Sequence, residues 1–221
     1  MELFTSEGCY SCPPADALLR QINGRRTNTG QLIVGMSEHV TYWNNMGWSD
    51  PYSAEIFTAR QHFYSNRCRL DSVYTRQMVI DGAEQIVGND PGALNRALLH
   101  EAGRPRMPLH ILSVSVSSGA LHVRFFANGS VARGGAEIIA VLTDDFDQSN
   151  VGRGENSGRT LSHVAVAQSL RQIAIVHSAT EKTVMLPLPV WFHSGSGGHH
   201  LIVFAQSANL GPVLRADTKP I

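Results

Sequence analysis

The chain has 221 residues, 43% hydrophobic and 16% charged, and its 18 Lys and Arg residues balance its 18 Asp and Glu residues. A chain without net charge has no long-range attraction for nucleic acid or anionic lipid, and no run of basic residues supplies a local patch. No apolar stretch approaches the roughly 18 residues that a membrane-spanning helix needs. We therefore predict a protein that binds no nucleic acid and spans no membrane, and whose length allows one large domain or two small ones.

The first hundred residues alternate strand and helix signals in the order β-α-β-α-β-β-α. Helices are indicated by apolar residues at helical spacing, and strands by short apolar runs between turn residues. This is the element order of the thioredoxin core, so we predict an α/β thioredoxin-like domain over residues 1–103. The strand signals are Leu3-Phe4, Leu32 to Met36, Gln77 to Ile80 and Glu84 to Val87, the last two on either side of the turn Asp81-Gly82. The helix signals are Ala15 to Ile22, which ends before Asn23-Gly24, Ile56 to Tyr64, and the segment from Asn89-Asp90-Pro91 to Gly103.

The sequence period changes after a predicted linker, Gly103 to Pro108. Beyond it, apolar residues such as Leu112 and Val114 alternate with serines, which is the pattern of a half-buried strand. Further short strand patterns follow, separated by turn clusters that include Asn128-Gly129 and Ser194 to Gly198. Several short strands with frequent turns favour a β-sandwich. We predict a C-terminal all-β, sandwich-like domain over residues 109–221.

Cys9 and Cys12 form a C-x-x-C pair between the first predicted strand and the first predicted helix. The partial positive charge at a helix N-terminus stabilises a thiolate and lowers a thiol pKa from about 8.5. Pro13 and Pro14 lack N–H donors and fit only in the first helical turn, so the helix should begin near Ser11 or Cys12 and leave Cys9 ahead of it. We predict Cys9 as the attacking thiol, with a lowered pKa and exposed enough to ionise and react, and Cys12 as the thiol that resolves the mixed disulfide.

Two other interpretations of this pair stay open. It could be half of a zinc site completed by Cys68 and a histidine such as His39 or His62. It could also be a permanently closed structural disulfide, although so short a loop adds little chain-entropy stabilisation. The chain has one C-x-x-C, in a β-α context, which favours redox chemistry over zinc, so we expect no metal. Cys68 is expected to be a free thiol.

Four motifs, spread along nearly the whole chain, carry a family resemblance. They are Glu2 to Asp16 with the cysteine pair, Ser37 to Pro51, Val73 to Val79, and Gly154 to His163. The combination resembles the bacterial family called domain of unknown function 1223. The resemblance implies a thioredoxin-like domain plus a β-rich domain, usually in proteins exported from the bacterial cytoplasm, and it implies no function.

The beginning of the chain bears on location. Met1 is followed directly by the strand-like Glu2 to Ser6, without the charged region and apolar run of a signal peptide. We expect either a periplasmic or secreted protein whose export signal has been removed, as the family resemblance implies, or a cytoplasmic one.

Arg76 departs from the family pattern. A proline normally follows the Val-Tyr-Thr motif there, and in the thioredoxin fold it is a cis-proline that faces the cysteines. Because a non-proline cis peptide costs about 2.5–4 kcal/mol, we expect the Thr75–Arg76 bond to be trans or the loop to be rearranged. Arg76 would also place a positive charge near Cys9 and favour its thiolate. The alternative is an exposed loop arginine.

The segment after the second predicted strand offers further site residues. Ligands gather at the carboxyl ends of parallel strands, so Glu38 and His39 should emerge on the edge that carries the cysteines. His39 could shuttle protons near pH 7, and Tyr42, Trp43 and Trp48 could line a groove for a peptide or small ligand. The structural alternative is a hydrogen-bonded histidine with aromatic side chains packed over a long loop.

The later motif contains Glu155, Asn156, Arg159 and His163. We predict that they form a polar cluster that pins a long loop against the sandwich or faces the first domain. We prefer that structural role over a catalytic one.

These residues support two hypotheses of function. In the first, the protein is a thiol–disulfide oxidoreductase that uses Cys9 and Cys12 on an unidentified protein or small-thiol partner. In the second, it is a non-catalytic binding module with a thioredoxin-like scaffold and a structural disulfide. Neither hypothesis requires an organic cofactor.

Overall fold

The computed structural model describes residues 1–132, 134–189, 192 and 198–221. The chain forms two compact units: the first comprises Met1–Arg104 and Phe146–Gln168, and the second comprises Pro105–Asp145 and Ser169–Ile221. Residues 146–168, which the sequence pattern groups with the C-terminal strands, thus belong with the N-terminal residues. Most of the turn predicted at Ser194 to Gly198 lies outside the described residues.

The first unit is built on a mixed sheet with helices. Its N-terminal elements are β1 (Glu2–Thr5), α1 (Pro13–Ile22), β2 (Met36–His39), α2 (Glu55–Arg67), β3 (Gln77–Ile80), β4 (Glu84–Val87) and α3 (Pro91–Ala102), with a short 3-10 helix at Asn44–Met46. Strand β1 pairs in parallel with β2 and antiparallel with β3, which pairs antiparallel with β4. The predicted order of these seven elements is confirmed.

Helix α1 begins where its prolines allow. Cys12 is the N-cap residue, and Pro13 and Pro14 occupy the first turn, where their missing N–H groups leave no helical hydrogen bond unmade. The helix buries Leu19 in an apolar cluster that also contains Leu3 of β1. The cysteine pair is therefore fixed to the end of a helix that packs on the sheet.

The hairpin predicted around Asp81-Gly82 is confirmed. Asp81 has φ +46° and Gly82 has φ +62°, the left-handed conformations that the two central residues of a type I′ turn require, and the Ala83 N–H donates to the Ile80 carbonyl at 3.0 Å.

Strand β2 lies later in the chain than predicted. Its residues are Met36–His39, whereas the apolar run spans Leu32 to Met36. All four residues are buried although Ser37, Glu38 and His39 are polar. Because the buried residues after Met36 are polar, the apolar run in the sequence ends before the strand does. Glu38 and His39 therefore lie within the strand rather than after it.

The remaining strands are β5 (Leu109–Ser117), β6 (Ala120–Asn128), β7 (Ala136–Asn150), β8 (Thr160–Val176), β9 (Ala179–Pro187), β10 (His199–Ser207) and β11 (Val213–Pro220). In the first unit, Val166 of β8 pairs in parallel with Ser37 of β2. In the second unit, β6 pairs with β5 and β9, and β10 pairs with β7 and β11, all antiparallel. Alternate residues of these two groups, among them Val123, Phe125 and Val203, share one apolar core. This β-rich arrangement fits a β-sandwich.

The predicted fold class, an α/β thioredoxin-like domain followed by an all-β domain, is wrong. The protein is mostly β, with 44% of residues in strands and 19% in helices, and it has large mixed and antiparallel sheets. The described residues contain three α-helices. The physical reason is that long strands of the C-terminal half, β7 and β8, also supply residues to the first unit, so the N-terminal elements do not make up a unit by themselves.

Within the described residues, each helix is too short or too polar to traverse a bilayer.

Candidate functional site

The cysteine loop, residues 6–12, connects β1 to α1 and contains a disulfide. Cys9 and Cys12 are bonded to each other, and their Cα atoms are 5.4 Å apart. Cys9 is 1% exposed and Cys12 is fully buried. The Cys9 Sγ lies 3.5 Å from the Ser11 hydroxyl. The pair thus has the predicted position at the start of α1, but the attacking sulfur, expected to be accessible, is buried.

Glu7 holds the backbone of the cysteine loop in place. Its N–H donates to the Asp50 carboxylate at 2.8 Å, and its carbonyl accepts from the Asn156 side-chain amide at 2.8 Å. The Glu7 side chain is fully buried. Both its main-chain polar groups are satisfied by side chains from distant parts of the sequence, which fixes the loop two residues before Cys9.

The Glu7 carboxylate accepts three side-chain hydrogen bonds. The Trp48 indole N–H donates at 2.7 Å, His163 Nε2 lies 3.3 Å away, and the Ser149 hydroxyl also donates. Burial opposes ionisation, but the hydrogen bonds from His163, Ser149 and Trp48 outweigh it and hold the pKa of Glu7 below its usual value. Glu7 is therefore a buried anion stabilised by donors rather than a solvent-exposed acid.

Two histidines lie edge to face beside this carboxylate. The rings of His39 and His163 have centroids 4.7 Å apart at 85°, and the Tyr52 ring lies 5.3 Å from His39. His163 Nδ1 is 3.7 Å from the Asp16 carboxylate. Burial disfavours the charged imidazole, but the hydrogen bonds and charges of Asp16 and Glu7 raise the pKa of His163 to about 9. His163 is therefore a cation between two carboxylates at neutral pH.

His39 is oriented by Asp50. The His39 Nδ1 lies 2.7 Å from the Asp50 carboxylate, and both side chains are buried. Burial is again outweighed, here by the His39 charge and hydrogen bond and by backbone donors, so the pKa of Asp50 is lowered. Among the described residues, no group forms a hydrogen bond with His39 Nε2. Since Thr5 at the end of β1 is opposite His39, this ring lies at the strand end from which the cysteine loop departs.

The predicted polar cluster of the later motif contacts the cysteine loop. Asn156 is fully buried, and its amide also donates to the Cys9 carbonyl at 3.0 Å. Glu155 accepts from the Tyr10 N–H at 3.0 Å, and the Arg159 guanidinium lies 5.7 Å from the centre of the exposed Tyr10 ring. We call residues 151–159 the covering loop. Of the two predicted arrangements, in which the cluster pins the loop against the sandwich or faces the N-terminal residues, the contacts correspond to the second, because they join this loop to the cysteine loop within the first unit.

Two aromatic residues of the 41–53 segment, Tyr42 and Trp43, are partly buried. A Cβ added to Gly8 would lie 3.1 Å from the Trp43 Cβ, so Trp43 packs directly on the cysteine loop. The Trp43 indole N–H donates to Thr75 at 2.8 Å. Tyr42 is half-buried, and this burial raises its pKa to about 12. These contacts are of the kind that the structural alternative describes, and a ligand groove lined by these side chains stays a prediction.

Glu38 belongs to a different cluster. Its Oε1 is 3.9 Å from Arg60 Nε, and Arg60 also contacts Glu2 at 2.5 Å. Burial and the neighbouring Glu2 charge raise the pKa of Glu38 well above its usual value. Because successive strand residues point to opposite faces, Glu38 and His39 cannot face the same site.

Arg76 follows a trans peptide bond, as predicted, since the described residues contain no cis peptide. Its carbonyl accepts from the Gly88 N–H at 2.8 Å. Its charge lowers the pKa of Tyr74 against the larger effect of burial. The predicted influence of Arg76 on Cys9 stays a prediction.

A zinc site built on Cys9 and Cys12 does not match the bonded pair, whose sulfurs are joined to each other. Cys68 is a free thiol, as expected. In the described part of the chain, one group has three possible ligand atoms within 4.8 Å of one another: Glu84, His100 and Glu101. The Arg104 guanidinium already contacts Glu101 at 2.5 Å, so we assign no metal there.

The model of a protein family described as "Protein of unknown function (DUF1223)" matches residues 1–206. The chain belongs to this family. A crystal structure of an Agrobacterium tumefaciens protein is similar to this DUF1223 member with a TM-score of 0.71 and 25% identity, over 98% of this chain and 91% of that chain. The protein HBP35 of Porphyromonas gingivalis also has a TM-score of 0.71, at 11% identity over 99% and 73% of the two chains, which shows a similar fold alone. A search of curated proteins found no match.

Sequence reasoning missed four residues of this DUF1223 site: Glu7 as an anchor, Asp50 and Ser149 as its partners, and Asp16 as a neighbour of His163. Asp16 carried a usable signal, because it follows Ala15 and precedes Leu18 on a helix whose apolar face is buried. An acid on such a face needs a partner. Asp50 and Ser149 carried none, since loop and strand-end polar residues are usually solvated.

Proposed function

We propose that this protein is a thiol–disulfide oxidoreductase that exchanges electrons through Cys9 and Cys12 with a protein or small-thiol partner. The observation that carries the proposal is the closed Cys9–Cys12 pair at the N-terminus of α1, fixed to a buried cluster of ionised side chains. The helix N-terminus favours the thiolate form of a nearby cysteine, and the buried Glu7 opposes it. An oxidising compartment would keep the pair closed, which fits the export expected from the family resemblance.

The reaction balances without a cofactor. A partner thiolate attacks the Cys9 sulfur, the Cys9–Cys12 bond breaks, and Cys12 leaves as a thiolate that takes up a proton. A second partner thiolate attacks the partner sulfur of the mixed disulfide and releases the Cys9 thiolate, which is protonated in turn. Two partner thiols become one disulfide, and the cysteine pair gains two electrons. The reverse sequence oxidises the pair.

His39 is the residue that we assign to proton movement. Asp50 holds its Nδ1, which leaves Nε2 to exchange a proton, and the ring lies at the strand end that leads into the cysteine loop. An imidazole fixed on one nitrogen by a carboxylate is a common arrangement for general acid–base catalysis. His163 is less suited, because both of its ring nitrogens face carboxylates.

The test is a dithiol-exchange assay that follows insulin reduction or the oxidation of a dithiol peptide. We expect wild-type protein to catalyse exchange, Cys9→Ser and Cys12→Ser to lose all activity, and Cys68→Ser to keep it. Cys68→Ser is the matched control, because it removes the free thiol alone. Exchange that survives in Cys9→Ser, or is absent from wild type, would contradict the proposal.

One observation favours the second candidate, a binding module with a structural disulfide. Both cysteines are buried, whereas an exchange reaction needs access to a sulfur. The two candidates differ in one respect: a structural disulfide stays closed in folded protein at glutathione potentials, and a redox couple opens and recloses.

A further inference from the structure

We propose that the covering loop, residues 151–159, is the gate that controls access of thiols to the Cys9–Cys12 disulfide, and that Asn156 is its positioning residue. The inference rests on the proposed function, because a gate matters only to a disulfide that exchanges. In this role the loop sets how fast the disulfide exchanges with thiols and takes no part in the bond changes.

Asn156 joins the covering loop to the cysteine loop. Its amide nitrogen donates to the carbonyl of Glu7 at 2.8 Å and to that of Cys9 at 3.0 Å. Its side-chain oxygen accepts from Arg159 at 2.8 Å. One side chain thus binds the backbone of the attacking cysteine and also orders the covering loop.

The covering loop is held by few buried groups. Within it, Val151 and Asn156 are the buried residues, and the neighbours of Asn156 on both sides are exposed. The segment 41–53 also packs on the cysteine loop, but it is anchored by Trp43, Trp48 and the buried Asp50. Segments with few buried contacts open at lower free energy, so the covering loop is the one that opens first.

Opening must precede the exchange reaction. A thiolate must approach the sulfur that it attacks, and Cys9 is 1% exposed. The hydrogen bonds of Asn156 go to backbone carbonyls, which are present in both the disulfide and the dithiol. Loss of Asn156 should therefore raise the rates of reduction and reoxidation by the same factor and leave their ratio unchanged.

The experiment compares wild type with Asn156→Ala, using dithiothreitol for reduction and oxidised glutathione for reoxidation, with Cys68→Ser in every protein. Each lost hydrogen bond changes an opening equilibrium about fivefold, so loss of the two bonds to the cysteine loop should raise both rates about 25-fold. The equilibrium constant of the pair with glutathione should change less than twofold. Asn95→Ala, an exposed asparagine on α3, is the matched control and should change neither rate.

Arg159→Ala supplies a second measurement if Asn156→Ala does not fold. It removes the contact with the Tyr10 ring and one hydrogen bond to Asn156, and we expect a smaller rise in both rates. Unchanged rates in the folded variants would overturn the gate, as would a rise in one direction only. Because dithiothreitol is a strong reductant, the reduction rates can be measured even if the pair does not exchange with glutathione or insulin, so failure of the gate and failure of the proposed function are distinguishable.

Discussion

Glu7 and His163 form a buried ion pair that is unusual in the number of its partners. The carboxylate accepts from an indole, a hydroxyl and an imidazole, and the imidazole also faces Asp16. A buried charge is strongly unfavourable unless donors or opposite charges surround it. The arrangement is therefore stable only while Glu7 is ionised and His163 is protonated, and the cysteine loop is attached to it.

Stability should fall in alkaline solution through His163. Its pKa is raised from 6.5 to about 9 by folding, so its contribution is complete below about pH 6.5 and is lost as the pH rises through 9. We expect the free energy of unfolding in urea to fall by about 1–3 kcal/mol more in wild type than in His163→Gln between pH 7 and 10. His110→Gln, at an exposed histidine, should behave like wild type. Identical pH profiles for wild type and His163→Gln would contradict this assignment.

Successive side chains of strand β2 point to opposite faces of the sheet, and they therefore belong to two separate polar clusters. His39 faces the cluster of Asp50 and His163, and Glu38 faces Glu2 and Arg60. The sequence shows both residues side by side, and only the strand assignment reveals that they point apart. The predicted grouping of Glu38 with His39 depended on placing both after the strand, so one boundary error of a few residues changed the site.

Replacing Glu38 by a neutral residue should lower the free energy of unfolding less than the same replacement of Glu2. Burial and the Glu2 charge raise the pKa of Glu38 and disfavour its ionised form, whereas Arg60 and Tyr64 overcome burial and lower the pKa of Glu2. We expect Glu38→Gln to change the free energy of unfolding by less than about 1 kcal/mol, and Glu2→Gln to cost about 2 kcal/mol or more because it leaves a buried guanidinium poorly compensated. Urea denaturation at pH 7 measures both. A larger loss for Glu38→Gln than for Glu2→Gln would show that Glu38 is the ionised partner.

Local chemistry made several elements predictable. Two prolines fixed the start of α1, Asp81-Gly82 fixed the hairpin, and Asp90 caps α3 by accepting from the Ala93 N–H, ahead of the first-turn proline Pro91. Each of these signals is confined to a few neighbouring residues. The cysteine pair was found in the same way, because its spacing and its position before a helix are local.

At the scale of the whole molecule, partners distant in sequence were not predictable. Pairing of Val166 with Ser37 joins residues more than a hundred positions apart, and no periodicity specifies which strand a β segment joins. The fold class was wrong for this reason. The burial of Cys9 was also missed, because the side chain that binds its carbonyl, Asn156, comes from residues that the pattern assigned to another domain.

The central claim is that the Cys9–Cys12 bond is a reversible redox couple in the folded protein. The most direct measurement is equilibration of Cys68→Ser protein with graded glutathione mixtures, followed by acid quenching, alkylation and mass measurement of Cys9 and Cys12. We expect a two-electron transition with a potential between about −270 and −120 mV. A pair that stays fully closed across that range while the protein remains folded would contradict it.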